Sequence, residues 1–457
     1  MNVMEHTPYL PQVREQYENF PYPLRNPDDE KKRLYPTTIE CLDCINYYCF
    51  SGKRDFTKDF RALSAGGGTG DATIFLAEQL RDTNAEIVYI DISAASMEIA
   101  KQRAAVRHLN NIKWIQASLL DIPSLDLGVF DYINCSGVLH HLADPDAGLA
   151  ILSNALKDNG AIGIMVYAQY GRTAVYQIQE LMRIMTRGEP DKHKKLAICR
   201  SVLKQLPSTN WLRISAHYNP IMKAPTISDD FEIYDLFLHS QDRAYTIHQL
   251  YDFVEKAGLQ TIQLFPQNDP EGMRLYDPSS YLKDSGTLDV IRHLDARSQQ
   301  AVAELLHGMI AKHVFYAAKS IPTFPKLENL DYIPFLDILS NRESYLSLYE
   351  VVCKSTERVS IFNEQTQKRL SFVKTPHAEA IFKYLDGKRS TKEIFDAILA
   401  SASAQKTRPS YPRLLEEFKL IFDALSVHNW LFLRDPKVHP FTSIPDMQKR
   451  VAQLYMD

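Results

Sequence analysis

The sequence predicts an α/β fold: a doubly wound, Rossmann-like sheet of seven strands with smaller helical units attached. Between residues 60 and 170, short apolar runs alternate with helix-like segments. A glycine cluster, Gly66-Gly67-Gly68-Thr69-Gly70, closes the first run and opens a helical pattern, and Asp91 ends the second run, Ile87-Val88-Tyr89-Ile90. Glycines at such a turn let the backbone approach a ligand with no Cβ in the way. The helix start beyond them offers free N–H groups to an anionic ligand group such as a carboxylate. An acid after the second strand can hold ribose hydroxyls. The spacing is G-x-G-x-G, and the dinucleotide fingerprint would need glycine where the chain has Asp71. Together these residues read as a nucleoside-cofactor site. Taken singly, a tight turn (the glycines) or a helix cap (Asp91) is the plainer alternative.

The elements follow in order. Residues 1–59 read as an irregular, aromatic arm or lid (Tyr17, Phe20, Tyr22, with Pro21, Pro23 and Pro27) leading into a helix. Residues 60–170 form the core, with strands expected at Arg61–Ala65, Glu86–Asp91, Ile112–Ala117, Val129–Ser136 and Ala161–Tyr167. Helices are expected at 94–109 and 148–157, with Asn159-Gly160 as a stop signal. Residues 171–230 read as a helical insertion, where Val175, Ile178, Met182 and Met185 recur at helical spacing. Lying outside the sheet, this stripe suits a subunit interface as well as a core. The α/β pattern resumes over 231–320: Thr246 caps a helix that Gly258 ends, and strands near 259–265 and 313–318 flank a helix. Residues 321–457 read as a winged-helix-like domain. It has helix starts at Thr375-Pro376 and Ser390-Thr391-Lys392-Glu393, an amphipathic helix through Leu414, Phe418, Ile421 and Leu425, and a strand at Trp430–Leu433.

Composition narrows the function. The chain has 457 residues, enough for two or three domains, with 45% hydrophobic and 24% charged residues. Net charge is −4, so it carries no polycation for nucleic acid, and the C-terminal segment lacks a concentrated basic patch. A protein contact suits that segment better than DNA. No basic-then-apolar leader and no run of about 18 apolar residues occurs. Six cysteines in a chain this long do not make a disulfide scaffold. A reducing cytoplasm is the expected setting. Cys41, Cys44 and Cys49 lie in an apolar aromatic run, where packing on a helix face competes with a metal site. No metal triad, serine nucleophile or P-loop is evident, and no metal is expected.

Residues 60–170 resemble a class I S-adenosylmethionine-dependent methyltransferase. The resemblance rests on four ordered stretches: Ala65 to Gly70; Tyr89-Ile90-Asp91-Ile92-Ser93; Gln116 to Pro123; and Phe130 to Leu142. It implies S-adenosyl-L-methionine as cofactor and S-adenosyl-L-homocysteine as product. It also implies a cofactor site of Tyr17, Tyr22, Ala65, Gly66, Gly68, Gly70, Asp91, Ile92, Ser118, Leu119, Cys135 and Ser136. The family carries an acid two residues before the first glycine, where this chain has Ser64. His140 and His141 match a His-His pair frequent in the family, for which a structural role is expected. The whole layout is similar to rickettsial protein-lysine methyltransferases that modify outer-membrane proteins, through Gln16 to Pro23, Tyr170 to Tyr176 and Asp235 to Thr246. That similarity implies a protein substrate and a homodimer formed through 171–230, with no nucleic acid and no membrane insertion.

Methyl transfer needs an aligned, unprotonated nucleophile and exclusion of water. A tyrosine-lined pocket can desolvate a lysine ammonium and lower its pKa. Candidates for aligning the acceptor are Tyr167, His239 and Tyr245, with Tyr17, Tyr22, Tyr170, Asp242 and Arg243 nearby in the reading; for each, packing or a turn-stabilising bond is the alternative. The expected activity is protein-lysine N-methylation. A small-molecule methyltransferase and a non-catalytic, cofactor-binding regulator are the alternatives.

Overall fold

A computed structural model describes residues 11–215, 230–265, 274–337, 342–363, 368–401 and 409–455. The central sheet comprises β1 (Arg61–Ala65), β2 (Glu86–Asp91), β3 (Ile112–Gln116), β4 (Phe130–Ser136), β5 (Leu156–Ala168), β6 (Ala244–Tyr245), β7 (Gln260–Phe265) and β8 (Lys312–Ala318). Its order is β3-β2-β1-β4-β5-β8-β7, with the two-residue β6 added beside β5. β1 to β5 pair in parallel, and β8 runs antiparallel between β5 and β7. The inner strands are buried on both faces, as helix-covered parallel strands must be. The expected seven-stranded, doubly wound sheet is present, and β6 is an eighth strand too short to show in the sequence.

Two local expectations change. Asn159-Gly160 does not stop the chain before a strand: it lies inside β5, where pairing with β4 jumps from Phe130–Leu156 to Tyr132–Ala161. The turn residues are absorbed as a bulge. The arm is also not wholly irregular, because Pro11–Asn19 is a helix. The arm is pinned down by charge. Glu30, fully buried, is bound by both Arg103 and Arg107, and Arg25 forks onto Asp71 at 2.9 and 2.6 Å.

The insertion closes on itself. Helices Thr173–Met185, Lys192–Gln205 and Trp211–Ser215 pack with Asp230–Phe237 around Val175, Ile178, Met182, Cys199 and Phe237. The stripe offered as an interface is therefore mostly an internal core, and Met185 alone of its four residues is exposed. The apolar side of Asp230–Phe237, unseen in the sequence reading, satisfies the others.

In the C-terminal segment β9 (Ile333–Leu336) pairs antiparallel with β12 (Leu431–Arg434), beside a hairpin of β10 (Arg358–Asn363) and β11 (Lys368–Val373). Among the described residues, five helices pack with them: Arg342–Lys354, Ala378–Tyr384, Thr391–Ser401, Tyr411–Ser426 and Ile444–Gln453. One apolar core runs from Tyr132 and Tyr316 on the sheet, through buried Cys41, Cys44 and Cys49, to Phe335, Phe418 and Phe432. The three cysteines serve as small apolar side chains in this core.

Candidate active site

A cavity of about 560 Å³ opens at the carboxyl ends of β1, β2, β4 and β5, where ligands sit in open α/β sheets. One end is built mainly from backbone. Gly66, Gly68 and Gly70 hold φ of 74°, 52° and 100°, a region that L side chains rarely enter. A Cβ on Gly66 would meet Val138 at 2.4 Å. The helix Asp71–Gln79 starts there with its N-cap at Gly70. Asp91, nearly buried, accepts N–H bonds from Gly68 and Ser93, each at 2.8 Å. Burial pushes its pKa up to about 6 against these bonds. Each carboxylate oxygen keeps a further lone pair for a hydroxyl. Ile92, Ser118, Leu119 and Ser136 line the same wall. Ser118 also caps the short turn Leu119–Ser124, in a reciprocal pair with Asp121.

The arm roofs this end. Thr69 Oγ1 donates to the Pro23 carbonyl at 2.7 Å, and Ser93 Oγ donates to the Tyr17 carbonyl at 3.1 Å. Glu18 caps the backbone N–H groups of Ala94 and Ala95. Tyr17 and Tyr22 thereby reach the cavity. Ala65 and Cys135 do not show it their side chains; both are fully buried in the core between sheet and helices, because alternate residues of a strand face opposite ways.

The opposite end is built from side chains. Asp235 is buried, lines the cavity, and accepts from Tyr167 Oη at 3.4 Å and from Tyr17. Burial raises its pKa to about 6, opposed by Arg172. Arg172 stacks on Tyr167 at 3.5 Å and lies 3.6 Å from Asp242. His141 stacks on His239 with ring centroids 3.9 Å apart. His239 sits behind the cavity wall, with Nε2 3.3 Å from Tyr17 Oη. Tyr245 is displaced from the expected role: it is fully buried against Phe253 on β6, outside the cavity. Asp235 carried no assigned role in the sequence reading, although its i, i+4 spacing to His239 was visible.

His141, Asp235 and His239 place ligand-type atoms within 4.8 Å of one another, a grouping sequence spacing did not reveal. The hydrogen bonds assign it differently. His239 Nδ1 accepts the Gln241 N–H, which leaves its proton on Nε2, and His141 Nδ1–H donates to the Gln241 carbonyl. A metal at His239 Nε2 would require that proton to leave while Nδ1 still accepts a bond. Burial lowers both histidine pKa values, that of His141 to about 4, so both rings are neutral. The set is a proton-donating chain, His239 to Tyr17 to Asp235.

Residues 63–162 match the family model described as a methyltransferase domain. An uncharacterised protein of Synechococcus sp. is 33% identical over 273 residues, covering 59% of this chain and 63% of that protein. A ubiquinone biosynthesis O-methyltransferase of Albidiferax ferrireducens is 22% identical, over 44% of this chain and 79% of its own. Among solved structures, PKMT2 from Rickettsia typhi in complex with AdoHcy shares the fold, with a TM-score of 0.59 and 18% identity over 87% of this chain and 76% of its own. The chain thus carries a methyltransferase domain of the class I, S-adenosylmethionine-dependent type. The glycine cradle, the helix N-terminus and the free lone pairs of Asp91 fit that cofactor's tail and ribose.

Proposed function

We propose that this protein is a protein-lysine N-methyltransferase. The observation that carries the reading is Asp235, a buried carboxylate facing a tyrosine-walled cavity at the end opposite the cofactor cradle. Bound S-adenosylmethionine supplies a methyl group already activated by the sulfonium. Gly66, Gly68, Asp91 and Ser136 hold and orient the cofactor. The arm, through Tyr17 and Tyr22, excludes water. The rings of Tyr17 and Tyr22 receive an ammonium and strip its hydration, while Tyr167, its ring already stacked with Arg172 and His140, presents its hydroxyl beside Asp235. Asp235 pairs with that ammonium, takes its proton and leaves the amine lone pair aimed into the cavity. The His239–Tyr17 pair holds the Asp235 carboxylate in place.

The layout supports a large acceptor, since the insertion and the C-terminal segment flank the core; we read residues 321–457 as a winged-helix-like, protein-contacting domain. A dimer through the exposed Ile184, Met185, Trp211 and Ile214 of the insertion is part of the reading, and sedimentation showing a monomer at micromolar concentration would remove it. Among the described residues, no helix is long and apolar enough to cross a membrane; we place the enzyme in the cytoplasm. The O-methyltransferase relatives support a second reading, a small-molecule acceptor. Incubating bacterial proteins and a metabolite extract with the enzyme and methyl-labelled cofactor decides between them. Label on protein lysine supports the proposal; label confined to metabolites rejects it.

A further inference from the structure

We infer that Glu40 anchors the ammonium of the cofactor's aminoacyl tail. The inference rests on the cofactor assignment and is independent of the acceptor. Glu40 lines the cavity and is 1% exposed, yet among the described residues no cation pairs with its carboxylate. A buried carboxylate without a counter-charge is costly, so such a group is retained where something else supplies the charge. Other acids of the cavity are committed. Asp71 is bound by Arg25 and Arg103, Asp91 takes two backbone N–H groups, and Asp235 belongs to the tyrosine end.

The placement of Glu40 is fixed from several sides. The Ile39 carbonyl accepts from Tyr316 Oη at 3.0 Å and from Tyr132 Oη at 2.5 Å. Gln79 donates to the Glu40 carbonyl at 2.8 Å and accepts the Leu42 N–H at 2.9 Å. The side chain then meets the Asn134 amide, which donates to it. Asn134 on β4 pairs in register with Ser64 on β1, two residues before Gly66, so the carboxylate stands at the foot of the glycine cradle. The Ser64 hydroxyl there is engaged by Thr73 at 2.8 Å and carries no charge. Burial raises the Glu40 pKa to about 7, so before a cation arrives the group is partly protonated at neutral pH.

The test is calorimetry on wild type and Glu40→Gln, which keeps an oxygen for Asn134. Two ligands are compared: S-adenosylhomocysteine, and 5′-methylthioadenosine, which has the nucleoside and sulfur but no aminoacyl tail. Glu40→Gln is expected to weaken S-adenosylhomocysteine roughly tenfold to a hundredfold, the size of a charge-assisted bond, and to leave methylthioadenosine unchanged. The deaminated analogue of S-adenosylhomocysteine, lacking only the ammonium, should bind both proteins alike. At pH 7, wild type should release a fraction of a proton on binding S-adenosylhomocysteine, measured in buffers of different ionisation heat, and the variant none. Equal losses on every ligand, or no loss at all, overturn the inference. Wild type that binds methylthioadenosine but gains nothing from the tail also overturns it. Wild type that binds no adenosine ligand brings down the cofactor assignment as well.

Discussion

The two ends of the cavity are made differently. The cofactor end is a strand–turn–helix whose functional groups are close in the chain: Gly66 to Gly70 form the turn after β1, Asp91 ends the neighbouring β2, and backbone N–H groups do much of the work. The acceptor end gathers Tyr17, His141, Tyr167, Asp235 and His239 from four separate elements and a loop, and its carboxylate is held by other side chains. Backbone sites tolerate sequence change outside a few special positions. Side-chain sites depend on each partner, so the acceptor end is where activity is most easily lost and specificity most easily altered.

The largest effect should come from Asp235→Asn. Methyl transfer is expected to fall about 10²–10⁴-fold, the range for removing a proton acceptor, while S-adenosylhomocysteine affinity holds. Single-turnover rates beside calorimetry separate the two, and a parallel loss of binding would erase the division between the ends. Glu30→Ala should cost about 3–5 kcal/mol of stability, because buried Arg103 and Arg107 would lose the carboxylate they share and keep only Asp71 and Glu78, which Arg25 and Arg81 also bind. Chemical denaturation reads this directly, and faster proteolysis before residue 36 would show the arm lifting from the cradle.

Asp91→Asn is the mirror of Asp235→Asn. Cofactor affinity should drop roughly tenfold to a hundredfold, with the rate recovering at saturating cofactor. In wild type, kcat/KM should rise as pH increases through about 6, since Asp235 must be ionised to take a proton; a profile flat from pH 5 to 7.5 would exclude it as the base. The smallest effect is on stability. The folded-state pKa values of Asp91 and Asp235 are raised to about 6. Protonated, these groups favour the folded chain, and that contribution is present below pH 4 and lost as pH climbs through about 6. The ligand-free Asp235→Asn protein should therefore melt slightly above wild type at pH 8 and level with it near pH 4.

The difference between the ends also explains what could be read in advance. Ala65 and Cys135 were drawn into the site by their neighbours in sequence, yet strand alternation turns both into the core. Tyr245 was drawn in by its segment, and pairing of β6 with β5 sends its ring against Phe253 instead. Asp235 and Glu40 were given no role because an isolated acid on a helix or in an arm looks like any surface acid. Only burial sets them apart, and burial is not local.

The succession of strands and helices along the chain, the glycine turn and the acid at the end of β2 were written in the sequence, since periodicity, turn chemistry and an acid at a strand end all act over a few residues. The closure of the insertion on Asp230–Phe237, the pinning of the arm by Glu30 and the assembly of the tyrosine–carboxylate pocket were settled only by the tertiary structure. Each joins residues many positions apart, and which buried charge meets which partner depends on how the chain packs as a whole.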